Sequence, residues 1–418
     1  MQSNAALATV AEPISIPRPE PNLTPGELVR RADQMRAVLR ERQAECEAIG
    51  RLPEQTNRDF IEAGFYRTIQ PRYFGGYEFD LPTFIKVIMA VSRGCPESGW
   101  VLTLIAGHPN LIARLPEEGQ REVYGESGEF RGPGVAMATG TAVPVEGGYR
   151  VQGTWDYSSG CDCGTHFLGM TLVVTPDSPA PLGTLWVVFE RGEIEIADNW
   201  SVFGMQGTGS RRVVVQERFV PAHRAMEWND AAGRMVARQP DRGIYPTPLY
   251  HGGIVPVLIS ELASVAVGAA RGALDLYEEI LRRKHRSFPP FDTLFELPEF
   301  QQHFGVARSL VDTAEAALLH LGGDYMEQAR QALETGVPVT DEAERRFLMM
   351  EQQCARLAWE AVELMFRTAG SASAAKSSAL GRYFRNLAVI RTHITLQIDH
   401  TAINAARLHF GSAPLGPF

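Results

Sequence analysis

The chain has 418 residues, 44% hydrophobic and 21% charged, a composition ordinary for a globular protein that buries a large core. Its net charge of −9 argues against a nucleic-acid partner, because phosphate binding needs a basic face. The 5 cysteines are scattered and only Cys161 and Cys163 lie close together. We therefore expect reduced thiols in a cytoplasmic protein and no metal site.

Two segments could carry targeting or membrane signals, and neither fits such a role. Residues 1–23 contain several prolines, no basic start and no uninterrupted apolar run, so we expect a disordered or extended arm and not a signal peptide. The most apolar helix candidate, residues 254–270, contains Pro256 and Glu261 and is short for a bilayer. It is more typical of a buried or interface helix, and we expect no membrane partner.

Residues 24–131 read as an N-terminal helical domain. Thr24-Pro25-Gly26-Glu27 has the residues of a capping box with proline at the first helical position, and Gly50 can end that helix after about Ile49. Further helical patterns cover residues 53–63, 82–93, 97–106 and 116–124.

Over residues 132–232 the sequence pattern changes and predicts a β domain. A hairpin turn is predicted at Gly147-Gly148, and β-type runs follow. These runs are Tyr149–Gln152, Phe167–Val174, Leu185–Phe189 and Val213–Val220, which we read as one antiparallel sheet.

Residues 233–418 are predicted to form a C-terminal four-helix bundle. The helical patterns cover residues 254–285, 297–332, 340–370 and 374–409, lengths that suit an up-and-down bundle. The fold class is therefore α+β, mostly α, with a sheet domain inserted between two helical blocks.

This order of domains resembles the acyl-CoA dehydrogenase fold. Several stretches are similar to the oxygenase components of two-component flavin-dependent monooxygenases, which hydroxylate 4-hydroxyphenylacetate or steroid-derived phenols. The stretches are Arg72 to Gly76, Gly94 to Trp100 with His108, Gly147 to Arg150, Gly153 to Cys161, Gly204 to Ser210, Val220 to Arg224 and the last helix. Their order and spacing carry the resemblance, which spans roughly residues 25 to 415.

The resemblance implies an enzyme that uses O2 and a reduced flavin, FMN or FAD with a slight preference for FMN. A separate NAD(P)H:flavin reductase supplies the flavin. The expected reaction is hydroxylation of an aromatic, phenolic small molecule through a flavin C4a-hydroperoxide. The resemblance also implies a homotetramer.

His393 is the first candidate for catalysis and substrate binding. On a continuous last helix, Asn386, His393 and His400 fall seven residues apart and form a polar row beside the apolar stripe. The resemblance places an essential histidine at His393, where it would deprotonate or hydrogen-bond the phenolic hydroxyl. The competing interpretation is a surface histidine paired with a carboxylate or carbonyl. The related enzymes often have Arg-Asp where this chain has Arg385-Asn386, so a neutral hydrogen bond must replace a charge there.

His108 and Trp100 are the next candidates. Trp100, Leu104 and His108 are four residues apart and share one helix face. A histidine at a helix C-terminus also interacts favourably with the helix dipole, which is a structural explanation. The resemblance assigns His108 to catalysis and substrate binding and places Trp100 in the flavin cavity.

Hydroxyl and aromatic residues at the strand ends of the β domain are predicted to bind a flat aromatic cofactor. They are Thr139, Trp155, Tyr157, Ser158 and Ser159. By resemblance, one serine of the Ser158-Ser159 pair approaches flavin N5, and the sequence does not choose between them. Ser159 is retained as a catalytic candidate. A simple Ser-Ser-Gly turn is the alternative.

Other functions remain open at this point. Acyl-CoA dehydrogenase-type oxidation with FAD needs a glutamate near the chain's end, where none appears, although Glu261 could act as the base. N- or S-oxygenation would use the same flavin chemistry. A scaffold without cofactor is the non-enzymatic reading. Gly207-Thr208-Gly209-Ser210 precedes a strand, so it is not a dinucleotide fingerprint, and we expect it near the cofactor.

Overall fold

The computed structural model describes residues 16–178, 180–231 and 235–415, and the first 15 residues of the predicted arm lie outside them. Within the arm, the Ile16 amide donates to the Tyr73 carbonyl (3.1 Å) and Leu23 is buried, so this part packs against the first helical block. The helices of that block are α1 Pro25–Ile49, α2 Glu54–Ala63, α3 Leu81–Gly94, α4 Pro96–Gly107, α5 Pro109–Ile112 and α6 Glu117–Tyr124.

Local signals set the ends of α1 as predicted. The Thr24 hydroxyl accepts from the Glu27 amide (3.2 Å), and Pro25 occupies the first helical position. Gly50 ends the helix with φ +66°, a left-handed conformation that glycine adopts without strain.

The middle of the chain forms one seven-stranded sheet. Its strands are β1 Gly134–Val145, β2 Gly148–Ser158, β3 His166–Val173, β4 Gly183–Glu190, β5 Glu195–Ala197, β6 Arg211–Pro221 and β7 Ala225–Asp230, in the order β5-β6-β2-β1-β3-β4-β7. The predicted β1–β2 hairpin is confirmed, with Gly147 at φ +79°. The sheet is not wholly antiparallel: β1 and β3 run parallel, and their register shifts between Val135 and Gly140.

Five further helices follow: α7 Ile254–Arg283, α8 Pro298–Thr335, α9 Asp341–Thr368, α10 Ala379–Ile390 and α11 Ile398–His409. The first three match the predicted helices closely. α7 is apolar and long enough to span a membrane, but 83% of its most apolar window is buried inside the fold. It packs against α3, α4, α8 and α9 as a core helix.

The fourth predicted helix, residues 374–409, is wrong as a single helix. The chain leaves the helix after Ile390 and makes a short 3-10 turn at Ile394–Leu396 before α11. Side chains in this segment bond to the backbone: the Thr392 hydroxyl donates to the Val389 carbonyl (2.7 Å) and Gln397 Nε2 to the Arg391 carbonyl (2.5 Å). Such bonds compete with the helical ladder, and β-branched residues further weaken it.

Candidate active site

One face of α4 brings two of the predicted site residues to the interior. Trp100 (8% exposed) and His108 (4% exposed) lie two helical turns apart, with His108 directly after the last residue of the helix. The start of the helix is favoured by Pro96, which occupies its first turn. Both side chains are therefore fixed by a regular element packed in the core.

Trp100 connects the sheet domain with the C-terminal helices. Its Nε1–H donates to Ser159 Oγ (3.0 Å), which follows the end of β2. On its other side, the indole meets the His393 ring edge-on, with ring centroids 5.8 Å apart. The structure thus brings together Trp100, Ser159 and His393, which the sequence analysis selected separately.

A directional chain of hydroxyl groups continues from Ser159. Ser159 Oγ lies 2.6 Å from Ser210 Oγ, which lies 2.6 Å from Thr208 Oγ1, and Thr208 Oγ1 donates to the Met205 carbonyl (2.8 Å). Since Thr208 uses its hydrogen on that carbonyl, Ser210 must donate to Thr208 and Ser159 to Ser210. Ser159 therefore has a lone pair left to accept a hydrogen bond but no free hydrogen to donate.

The turn that carries Thr208 and Ser210 is held from two sides. The buried Glu97 carboxylate on α4 accepts from the Gly207 amide (3.3 Å), and Asn386 Oδ1 on α10 accepts from the Met205 amide (2.7 Å). Asn386 thus supplies the neutral hydrogen bond that the sequence required in place of a charge. Ser210 and Thr208 were not selected as site residues individually, although their glycine-rich segment was expected near the cofactor.

His108 has a fixed tautomer. Its Nδ1–H donates to the Gly132 carbonyl (2.7 Å), which leaves Nε2 as a hydrogen-bond acceptor. Burial lowers the pKa of His108 to about 4, although the bond to Gly132 opposes the shift. The ring is therefore a neutral acceptor at neutral pH.

His393 does not lie on a helix, so the predicted polar row with Asn386 and His400 is wrong. It caps the Ile394–Leu396 turn: its Nδ1 accepts from the Thr395 amide (3.4 Å) and lies 2.7 Å from the Thr395 hydroxyl. The ring nitrogen that remains, Nε2, then carries the hydrogen. Surrounding protein lowers the pKa of His393 to about 4, while the side chain keeps exposed surface. His393 is thus a neutral donor beside Trp100.

Tyr157 and Thr139 lie on exposed parts of the sheet. Tyr157 is 71% exposed with φ +62°, a backbone conformation that is strained for a tyrosine, and meets Trp200 edge-on. Thr139 lies in the register shift of β1 and donates its hydroxyl to the Thr154 carbonyl (2.7 Å). Exposed aromatic and hydroxyl groups at these positions offer a surface for a flat ring.

Two of the predicted cofactor residues point elsewhere. Trp155 is fully buried in the sheet core against Phe167 and Phe189, and its Nε1–H donates to the Met170 carbonyl (2.8 Å). It has no surface left for a cofactor, so its selection is wrong. Ser158 is also fully buried and donates to the Trp155 carbonyl (3.1 Å). Of the serine pair, the structure brings Ser159 and not Ser158 to Trp100.

Among the described residues, one buried group has the composition of a metal site. The ligand atoms of Cys46, Cys95 and Glu97 lie within 4.8 Å of one another. The hydrogen bond with Cys95, followed by burial, raises the pKa of Cys46, and burial raises the pKa of Glu97 to about 7. The group supports the Gly207 turn, because the Cys46 thiol donates to the Gly207 carbonyl and Glu97 accepts from the Gly207 amide.

Comparisons with known proteins agree on the fold. Residues 260–398 match the family model "Acyl-CoA dehydrogenase, C-terminal domain". The chain is 26% identical to XiaF from Streptomyces sp., solved in complex with FADH2 and glycerol. That superposition has a TM-score of 0.85 and covers 94% of this chain and 97% of XiaF.

Curated relatives match along nearly the whole chain. The oxygenase subunit HsaA, a flavin-dependent monooxygenase of Rhodococcus jostii (strain RHA1), is 28% identical over 87% of this chain and 93% of its own length. The oxygenase component of an FADH(2)-dependent resorcinol hydroxylase of Rhizobium sp. (strain MTP-10005) is 27% identical over 94% and 96%.

Proposed function

Because this chain is a relative of the oxygenase subunits of flavin-dependent monooxygenases and has the acyl-CoA dehydrogenase fold, we propose that it hydroxylates an aromatic, phenolic substrate with O2. The observation that carries the proposal is the hydrogen-bonded chain from Trp100 through Ser159 to Thr208, with His393 against the same indole. A separate reductase supplies the reduced flavin.

The residues present fit a reduced flavin. Reduced isoalloxazine has a hydrogen on N5, and Ser159 Oγ has an accepting lone pair but no spare hydrogen. The exposed Tyr157 side chain offers a flat ring face near the end of the same strand. Ser159 and Trp100 would hold the reactive edge, and Tyr157 and Thr139 would border the ring system. When bound, the reduced flavin activates O2 for transfer to the substrate.

The two histidines have complementary roles in this proposal. His108 Nε2 accepts the hydrogen bond of the phenolic hydroxyl, which raises electron density on the aromatic ring. His393 Nε2–H donates to a polar atom at the opposite side of the reacting group. This assignment transfers the acceptor role from His393, where the sequence placed it, to His108, because each ring has a different nitrogen engaged by the protein.

The preference for FMN came from the resemblance, whereas the names of XiaF and of the resorcinol hydroxylase both specify FADH2. We propose that either reduced flavin binds and that the chain assembles as a cytoplasmic homotetramer. Light scattering at several concentrations tests the assembly, and a dimer or monomer would refute it.

The decisive experiment is an anaerobic titration with reduced FMN and reduced FAD, followed by rapid mixing with O2. We expect tight binding and a transient flavin absorbance distinct from the oxidised and reduced spectra. Ser159→Ala should shorten that transient, whereas Ser158→Ala, the matched control, should leave it unchanged. If reduced flavin binds without any transient, acyl-CoA-type oxidation becomes the better hypothesis. If neither flavin binds, the proposed function is wrong.

A further inference from the structure

Glu261 lies in the N-terminal third of α7 and is fully buried (1% exposed). Its backbone carbonyl accepts from Thr103 Oγ1 on α4 (3.3 Å). Its carboxyl has no hydrogen-bond partner anywhere in residues 16–178, 180–231 and 235–415, and Oε1 is completely enclosed. An unpaired buried carboxyl is costly, and such groups in native proteins call for an explanation.

Two other fully buried glutamates show what a structural role looks like here. Glu97 accepts from the Gly207 amide, and Glu351 accepts from the Ser260 hydroxyl of α7. Each therefore joins two elements of the fold. Among the described residues Glu261 makes no such bond through its carboxyl, so hydrogen bonding there does not account for it.

The carboxyl faces the end of α4 that carries the candidate active site. Oε1 packs directly against the backbone of Gly107, where a Cβ would overlap with it. Gly107 is the last residue of α4 and precedes His108. α7 also contacts the Ile394–Leu396 turn that His393 caps. Glu261 thus lies beside the residue that precedes His108, on a helix that also contacts the turn capped by His393.

We propose that Glu261 receives the ammonium group of an amine-bearing aromatic substrate, bound with its phenolic end at His108. This inference rests on the proposed function and names the substrate class. A cationic donor provides both the hydrogen bond and the charge that the carboxyl lacks. The negative net charge of the chain also favours the approach of a cation.

The protonation of Glu261 supports this role. Burial raises the pKa of Glu261 well above its ordinary value, which favours the neutral carboxylic acid in the protein without substrate. Pairing with an ammonium group stabilises the carboxylate, and its proton leaves to solvent. Binding of an amine should therefore release a proton, whereas binding of a neutral phenol should not.

The test compares ligands that share one ring: tyramine, tyrosol, 4-ethylphenol and 4-hydroxyphenylacetate. Each is titrated calorimetrically into the protein with reduced FMN under anaerobic conditions, in buffers of different ionisation enthalpy. We expect tyramine to bind about tenfold or more tighter than 4-ethylphenol, as for a hydrogen bond to a charged group, with release of about one proton. The carboxylate ligand should bind most weakly.

Variants separate this role from a structural one. Glu261→Gln should abolish the proton release and reduce the preference for tyramine to about twofold or less. Glu261→Leu should do the same and raise the thermal midpoint, because it removes an unpaired buried carboxyl. Glu351→Gln, the matched control, should keep the ligand order.

Three results would overturn the inference. They are tyrosol or 4-hydroxyphenylacetate binding best, tyramine binding without proton release, and an unchanged ligand order in both Glu261 variants. Reduced-flavin binding is measured first for every protein. Failure of the wild type to bind flavin would contradict the proposed function, whereas flavin binding without a preference for the amine contradicts only the role of Glu261.

Discussion

The end of α4 and the segment between α10 and α11 each present a histidine, but they hold it in different ways. His108 is buried and bonded to the Gly132 carbonyl of a different segment, whereas His393 is partly exposed and bonded to Thr395, two residues along the chain. The pKa of both rings is lowered to about 4 by desolvation, which for His108 comes from full burial and for His393 from surrounding protein beside an exposed surface. Equal protonation therefore does not mean equal function. The role of the ring nitrogen that is hydrogen-bonded to the protein, as donor or as acceptor, decides whether the other nitrogen accepts or donates.

The largest expected effect concerns the buried acceptor. In His108→Asn the amide can still donate to the Gly132 carbonyl, but the Nε2 acceptor is lost. We expect hydroxylation to fall by about 10²–10⁴-fold, the range for loss of an acid–base group, with reduced-flavin binding retained. Single-turnover product yield measures the effect. A loss smaller than that of the equivalent His393 variant would reverse the assignment of roles.

The exposed donor should matter less. His393→Asn keeps an acceptor for the Thr395 amide but removes the Nε2–H, and we expect about a tenfold loss of product per turnover. His393→Gln keeps an N–H near the Nε2 position and should recover part of it. Equal losses in the two variants would show that the N–H is not the group that acts.

A smaller effect is expected from the residue that positions His393. Thr395→Val removes the hydroxyl 2.7 Å from Nδ1 but leaves the backbone amide in place. We expect about a threefold decrease in kcat with little change in KM, and recovery in Thr395→Ser, because one hydrogen bond of two is lost. A change confined to KM, or no recovery with serine, would contradict the positioning role.

The smallest effect is expected from pH. A histidine pKa near 4 keeps both rings neutral at and above pH 5, so single-turnover product yield should change by less than about twofold between pH 5 and 8. An inflection in product yield near the ordinary histidine pKa would show that one ring is less shielded from solvent.

The free energy of unfolding depends on pH in a different way. Because folding lowers the pKa of His108, the contribution of this residue to stability is present above its unfolded pKa and is lost as the pH falls toward 4.

Elements whose signals are local can be predicted from the sequence. Capping at Thr24, the left-handed Gly50, the hairpin at Gly147 and the three long helices after Ile254 follow from neighbouring residues and periodicity. The interruption of the last helix could not be predicted, because the apolar periodicity continues across residues 391–397. Hydrogen bonds from side chains to the backbone end the helix there.

Which polar groups meet depends on the tertiary fold. Trp100 and Ser159 are 59 residues apart, and Ser159 and Ser210 are 51 apart, so no local pattern distinguishes Ser159 from Ser158 or Trp100 from Trp155. The same is true of Glu261, because only the folded surroundings show that its carboxyl has no hydrogen-bond partner in the described part of the chain. Periodicity assigns a residue to a face, but hydrogen-bond direction and tautomer depend on atoms that the fold brings together from distant parts of the chain.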